Sequence, residues 1–245
     1  MDFSSVDLGG HDLAVMALVG SYNYNLDTAD SDKDYKFFVF PTFEDLYYNR
    51  MYAHSQVGKD FDYTVHDIRK LSEFLWKGHL NFIEVCFSQD ATCTNKQIEW
   101  ALFDHPEYIA NLNQVGLYKS TYGSAMAKIQ NIHKGTESTK QLIKKYGYDT
   151  KEAHHALRGL YTLSRYFFTG SMESALWYNR HEAQYKILMS VKNGEYTESQ
   201  FLQKVESWQN NNKDIAKHYL NREPCNERKQ GLEIIIQEAI RGNLF

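Results

Sequence analysis

Cysteine is scarce in this chain. Cys86, Cys93 and Cys225 are odd in number and lack metal-ligand spacing, so neither a disulfide framework nor a thiolate metal site is expected, and the thiols read as reduced. Long apolar runs are missing too, which excludes a membrane-spanning helix. The first cationic side chain is Lys33, leaving no positive n-region for a secretory signal; the expectation is a cytoplasmic protein with no membrane contact. A basic excess is also lacking. The formal net charge of -4 gives no overall attraction to nucleic acid, so polynucleotide contact would need a local patch. What remains is an ordinary core composition of one to two domains: 245 residues, 42% hydrophobic and 15% aromatic, with only 3 prolines.

The informative chemistry is near the N-terminus. Ala14 to Val19 is an apolar run of strand length that stops at Gly20-Ser21, so a buried strand delivers that pair to a surface edge. Glycine lets an anion approach the main chain, and the Ser21 hydroxyl adds a rotatable donor, as a phosphate-cradling turn requires. About ten residues later, Asp32 and Asp34 open the β-favouring segment Tyr35 to Phe40, closed by Pro41. Two residues apart in a strand, these carboxylates share a face, with Lys33 on the other. They repel each other unless a hard divalent cation lies between them. Either feature alone is a common structural turn; in this order they suggest a metal and triphosphate site.

The stretch VGSYNYNLDTADSDKDYKFFVFP resembles the signature of the DNA polymerase β-like nucleotidyltransferase superfamily, in which a strand ends in Gly-Ser and Asp-x-Asp opens the next. More narrowly, Tyr24-Asn25-Leu26 followed by Ser31-Asp32-Lys33-Asp34 is similar to the predicted nucleotidyltransferases grouped with the RNA-repair-pathway polymerase β-like proteins, whose usual form is Tyr-Gly-Leu and Ser-Asp-x-Asp. Asn25 stands where that group favours glycine, and asparagine is the next best residue for a left-handed backbone. Lys33 replaces the usual apolar residue between the aspartates.

The resemblance implies a third carboxylate on a later strand. Asp60 to His66 alternates at period two, so Asp60, Asp62, Thr64 and His66 share a face. Asp62, mid-segment, is preferred to Asp60 at the edge. Ile68, Leu71, Phe74 and Leu75 then form a helical apolar stripe with Gly78 as its C-cap. Glu84 interrupts an apolar run and either reaches the pocket or points to solvent at a strand end; the second is preferred.

Near residue 105 strand signals give way to successive helical patterns. The expected fold is α+β: an N-terminal catalytic α/β domain with a short mixed sheet, residues 1–105, then a helical domain, residues 106–245, with the linker around Asp104-His105-Pro106. Asp149 or Thr150 caps a helix whose Ala156, Leu157, Leu160, Leu163 and Phe167 face the core. Lys151, His155, Arg158, Thr162 and Arg165 form a polar stripe on another side. Such a stripe is most often solvated, but it resembles the Tyr-Asp-x-Lys-x-x-x-His-x-x-Arg motif of the same group, which implies that Lys151, His155 and Arg158 bind nucleotide phosphate. His154 and Lys128 are expected at the surface, and Asn210 to Asn212 in a short loop. The final segment, Leu232 to Ile240, has the pattern of a packing helix.

The expected function is transfer of a nucleoside monophosphate from an NTP to an acceptor hydroxyl, RNA being one candidate, with release of pyrophosphate. Asp32, Asp34 and Asp62 would hold Mg²⁺ or Mn²⁺, and Gly20, Ser21, Lys151, His155 and Arg158 the nucleotide. The alternative is a non-catalytic nucleotide-binding or antitoxin-like interaction protein on the same fold.

Overall fold

The computed structural model describes residues 3, 6–29, 31–58, 61–137 and 139–245. Asp60, the alternative third carboxylate, lies outside them. The chain forms two compact units, one from residues 1–113 with 224–245, the other from residues 114–223.

The first unit is built on a five-stranded mixed sheet. Strands β1 (Leu13–Val19) and β2 (Lys33–Val39) are separated by a 3₁₀ turn at Tyr22–Tyr24, and α1 (Phe43–Tyr47) leads to β3 (Ala53–Gln56) and β4 (Phe61–Asp67). Next come α2 (Ile68–Trp76), α3 (Leu80–Ile83), a 3₁₀ turn at Glu84–Phe87, β5 (Ala91–Cys93), α4 (Lys96–Glu99), a π-type turn at Trp100–Asp104 and α5 (Pro106–Ala110). The strand order is β3-β4-β2-β1-β5, with β2 and β4 parallel and the other pairs antiparallel.

Period-two alternation gives this sheet two different faces. One is an apolar cluster of Met16, Leu18, Tyr35, Phe37, Val39, Phe61, Tyr63 and Val65, covered in part by Phe3, Val6 and Leu8. Phe3 meets Tyr35, Phe37 and Phe61 edge-on at 5.1, 5.8 and 5.5 Å, the arrangement aromatic quadrupoles favour. The opposite face carries Asp34, Lys36 and Phe38 from β2 beside Asp62, Thr64 and His66 from β4. Helix α2 packs on β2 and β4, burying Ile68, Leu71 and Leu75. It starts at Asp67, whose carboxylate accepts the Arg69 amide at 2.9 Å, and stops before Gly78, whose φ of 70° belongs to a left-handed cap.

The second unit is helical: α6 (Gln114–Gln130), α7 (Lys140–Tyr146), α8 (Thr150–Thr169), α9 (Met172–Leu176), α10 (Ala183–Lys192), α11 (Glu198–Asn211) and α12 (Lys213–Leu220). Its axis is α8, against which all the other six pack. Asp149 caps α8 by accepting the Lys151 and Glu152 amides, each at 3.0 Å, and Gly170 ends it with a φ of 68°. Helix α6 approaches closely where α8 carries Gly159: a Cβ there would lie 3.3 Å from Thr121 Cγ2. Asn210 and Asn211 continue α11 instead of forming the expected loop, because the helix buries Phe201, Val205 and Trp208 and runs on for the rest of that turn.

The last helix, α13 (Asn226–Leu244), returns to the first unit, where it packs on α2 and α4 and buries Leu232, Ile236, Ala239 and Ile240. The division therefore differs from one cut at 105/106. Residues 106–113 stay with the first unit because α5 packs on its two irregular turns and Leu112 O accepts the Cys225 amide at 2.9 Å. Among the described residues, no helix is long and apolar enough to cross a membrane.

Candidate functional site

The polar end of the sheet is assembled by β1, β2 and β4. After Val19 the chain turns at Gly20, where φ is 74°, and enters the 3₁₀ turn, which closes with Asn25 at φ 58°. The left-handed role read for Asn25 is thus what the backbone adopts, while Leu26 and Tyr24 amides both return to Ser21 O, at 2.9 and 3.2 Å. Gly20 is doubly constrained: beyond its positive φ, a Cβ would collide with the Asp34 carboxylate. The Gly20 bend and the second aspartate are therefore in van der Waals contact.

Asp34 is also in register with Asp62 across the parallel β2/β4 pair. Residues opposite each other in neighbouring strands project to the same side, so two half-buried aspartates share one end of the polar face. Asp62 Oδ1 accepts the Gly58 amide at 3.1 Å. Asp32 lies just before β2 and is exposed. Lys33 projects to the other side, its ammonium 5.5 Å from the Tyr22 ring centre.

Two residues that the sequence reading left out of the site belong to it. Lys36 follows Asp34 at the next same-face position, a placement that period two alone would have given. Glu84 is the other. It was expected in solvent, but only 3% of it is exposed, and its carboxylate accepts the Gly20 amide at 3.2 Å and faces Lys36 Nζ at 3.8 Å. The reason is local structure: residues 80–87 form a helical turn and a 3₁₀ turn, not a strand, and this turns Glu84 inward. Asn23 fastens the arrangement, donating to Glu84 O at 3.2 Å while its own Oδ1 accepts the Gln89 amide at 2.9 Å. The Gly20 amide accordingly meets an anion, and that anion is the protein's own.

Further along the same face, Thr64 Oγ1 and His66 Nδ1 are buried polar atoms without a hydrogen-bond partner. Burial, then Lys36 and Lys70, hold the His66 imidazole down to about 4, so it is neutral at ordinary pH.

In the second unit, Lys151, His155 and Arg158 occupy one side of α8 at four- and three-residue intervals. They are not equivalent. Lys151 is exposed, His155 half-buried, and Arg158 is only 7% exposed. Burial, followed by Arg158, His154, Lys128 and Lys151, pushes the His155 imidazole well below its usual range. It is a neutral hydrogen-bonding group in a positive field. His154, expected at the surface, is 3% exposed and its Nδ1 contacts Leu188 O at 3.0 Å, because α10 packs on that side of α8. Lys128, also expected to be exposed, is half-buried and pairs with Glu152 at 2.7 Å.

Arg165, the last cation of the stripe, is structural. Its guanidinium donates to Ala175 O, Ser174 O, Trp177 O, Glu182 and Gln184 and stacks 4.4 Å from the Tyr178 ring centre. A cavity of about 860 Å³ beside it is walled by Tyr161, Trp177, Lys204 and Trp208, and shares no residue with Lys151, His155 or Arg158.

No model of a known protein family matches the chain, and no curated protein is similar to it. Among solved structures, it is similar to a nucleotidyltransferase-like protein from Exiguobacterium sibiricum, at 13% identity and a TM-score of 0.36, over 96% of this chain and 87% of that one. A likeness of that size fixes neither a fold family nor a chemistry.

The donor set decides which ions the site suits. Among the described residues, no group of three or more His, Cys, Asp or Glu side chains is arranged to hold a metal ion. Asp34 and Asp62 nonetheless are two hard oxygen donors in register on one face, the number Mg²⁺ takes from protein when substrate phosphates and water complete its shell. The pair fits an ion that arrives with a polyphosphate better than a closed cage.

Proposed function

We propose that the chain is a metal-dependent nucleotidyltransferase that moves a nucleoside monophosphate from an NTP to an acceptor hydroxyl. The observation that carries this reading is the register of Asp34 with Asp62 directly beside the Gly20 bend: paired acids for a divalent cation next to a glycine turn that accommodates an anion. The resemblance of Gly20-Ser21 and Asp32-Lys33-Asp34 to the polymerase β-like signature supports the same conclusion.

In this reading Gly20 and Ser21 orient the triphosphate, and Asp32, Asp34 and Asp62 are the carboxylates that hold Mg²⁺ or Mn²⁺. When bound, the ion neutralises triphosphate charge and makes an acceptor hydroxyl more acidic. Asp62 is the base within the set that takes the hydroxyl proton. The acceptor oxygen then attacks the α-phosphorus in line as the bond to pyrophosphate breaks. As the resemblance implies, Lys151 and Arg158 as cations and His155 as a neutral donor are nucleotide-binding residues, groups whose chemistry suits a polyphosphate.

The test is incubation with each labelled NTP and Mg²⁺ or Mn²⁺, with and without RNA or a protein acceptor, following pyrophosphate. Release is expected in at least one combination. A second reading, a binding module without turnover, is favoured by the lack of a preformed three-acid cluster among the described residues. Nucleotide binding with no pyrophosphate under any combination would establish that one instead.

A further inference from the structure

We propose that Glu84 occupies the place of a substrate phosphate, and that nucleotide enters by displacing its carboxylate from Gly20 and Lys36. The inference rests on the nucleotide reading above but concerns how the site is guarded, which that reading leaves open.

Glu84 presents both of its oxygens to donors that suit a phosphate. Oε2 accepts the amide of Gly20, the glycine of the anion-binding bend, and Oε1 faces the Lys36 ammonium at 3.8 Å. A backbone N–H at a glycine turn beside a lysine is how polyphosphate is commonly held. A carboxylate buried to this depth is tolerable only because those donors compensate it. It therefore competes with any second anion for them.

The exchange needs only a side-chain movement. Glu84 O is fixed by Asn23, itself tied to the Gln89 amide, so the backbone of the turn stays in place while the carboxylate swings away. Of the two contacts it gives up, the one to Lys36 is loose, since 3.8 Å is beyond a good charge-assisted hydrogen bond, and the other is a single hydrogen bond of 3.2 Å from the Gly20 amide, which an incoming phosphate oxygen can accept in its place. Lys36 keeps a second neighbour, the Phe82 ring at 5.8 Å, and remains positioned for the incoming anion.

The experiment is calorimetric binding of tripolyphosphate, an anion with neither base nor sugar, and of NTP, to the full chain and to Glu84→Gln. The amide keeps an oxygen for the Gly20 N–H but removes the competing charge. Tripolyphosphate should bind about tenfold more tightly to Glu84→Gln, and Lys36→Gln in that background should abolish the gain. Glu84→Asp, one methylene short of both donors, should show a smaller tightening and serves if the amide variant fails to fold. Wild-type binding of NTP with equal or weaker tripolyphosphate binding in the folded Glu84 variants would overturn this proposal alone and make Glu84 a structural pin. Absence of NTP and tripolyphosphate binding in every variant would overturn both it and the nucleotide reading.

Discussion

Asp34 and Asp62 stand opposite each other on adjacent parallel strands, 28 positions apart in the chain but about 4.8 Å apart in strand spacing. Two aspartates in register on one face would favour a positive partner, and in the proposed function a divalent cation brought by a polyphosphate is that partner. Asp34→Asn and Asp62→Asn should each lower pyrophosphate release by about a hundredfold or more while leaving the melting temperature near that of the wild type. A variant that keeps most of the activity would remove its aspartate from the set.

Gly20 is the least replaceable residue of the bend. Alanine there carries about 1–2 kcal/mol of left-handed backbone strain and pushes the Asp34 carboxylate aside. Gly20→Ala should therefore lower the unfolding free energy by about that much, read from the midpoint and slope of a denaturant titration, and cost activity as well. A variant with unchanged stability would show that the bend relaxes at no cost.

His154 makes the second unit acid-sensitive. Burial, with Arg158 and Lys192 adding to it, lowers its imidazole from 6.5 to about 3, only partly offset by the bond to Leu188 O. The unfolded chain binds this proton more readily, so the stability it contributes is complete above pH 6.5 and is lost as pH falls toward 3. Thermal melts across that range should show the decline, and His154→Leu should flatten it. Equal slopes in the two proteins would contradict the assignment.

His155 reports on anions. Its imidazole is depressed by burial and by Arg158, Lys128 and Lys151, and a polyanion binding beside those cations would counter their field. Polyphosphate binding on that side of α8 should then be accompanied by proton uptake, measured by calorimetry in buffers of different ionisation enthalpy. His155→Gln should remove the uptake. Uptake that survives the substitution would place the proton elsewhere.

Arg165 should behave in the opposite way. Lysine cannot reproduce its fork onto Ser174 O, Ala175 O and Trp177 O, so Arg165→Lys should destabilise the second unit by about 1–3 kcal/mol and leave nucleotide affinity unchanged. Denaturation and binding measured on the same sample separate the two effects.

Local pattern made much of this legible. The alternation read over Asp60 to His66 appears, among its described residues, in β4 with every second residue buried, and the apolar stripe from Ile68 to Leu75 as α2. The caps at Asp149 and Gly78 and the left-handed Asn25 follow from chemistry within a few residues. Glu84 could not be read that way. Its segment is apolar enough for a strand, and its inward turn is set by contacts with Gly20 and Asn23, more than sixty positions away. His154 and His155 are adjacent in sequence, yet only the packing of α10 decides which one is fully enclosed.

The amino-acid order by itself determined the α+β class, the strand ending at a glycine bend, the aspartates opening the next strand and the capped helix carrying Lys151, His155 and Arg158. Those are short-range matters, governed by backbone sterics, period and capping. Only the tertiary structure decided that Asp62 lies level with Asp34, that Glu84 takes the Gly20 amide, that Arg165 is consumed by carbonyls and that the last helix returns to the sheet unit. Each of these is a pairing between distant segments, where register and burial choose among partners that sequence spacing cannot rank.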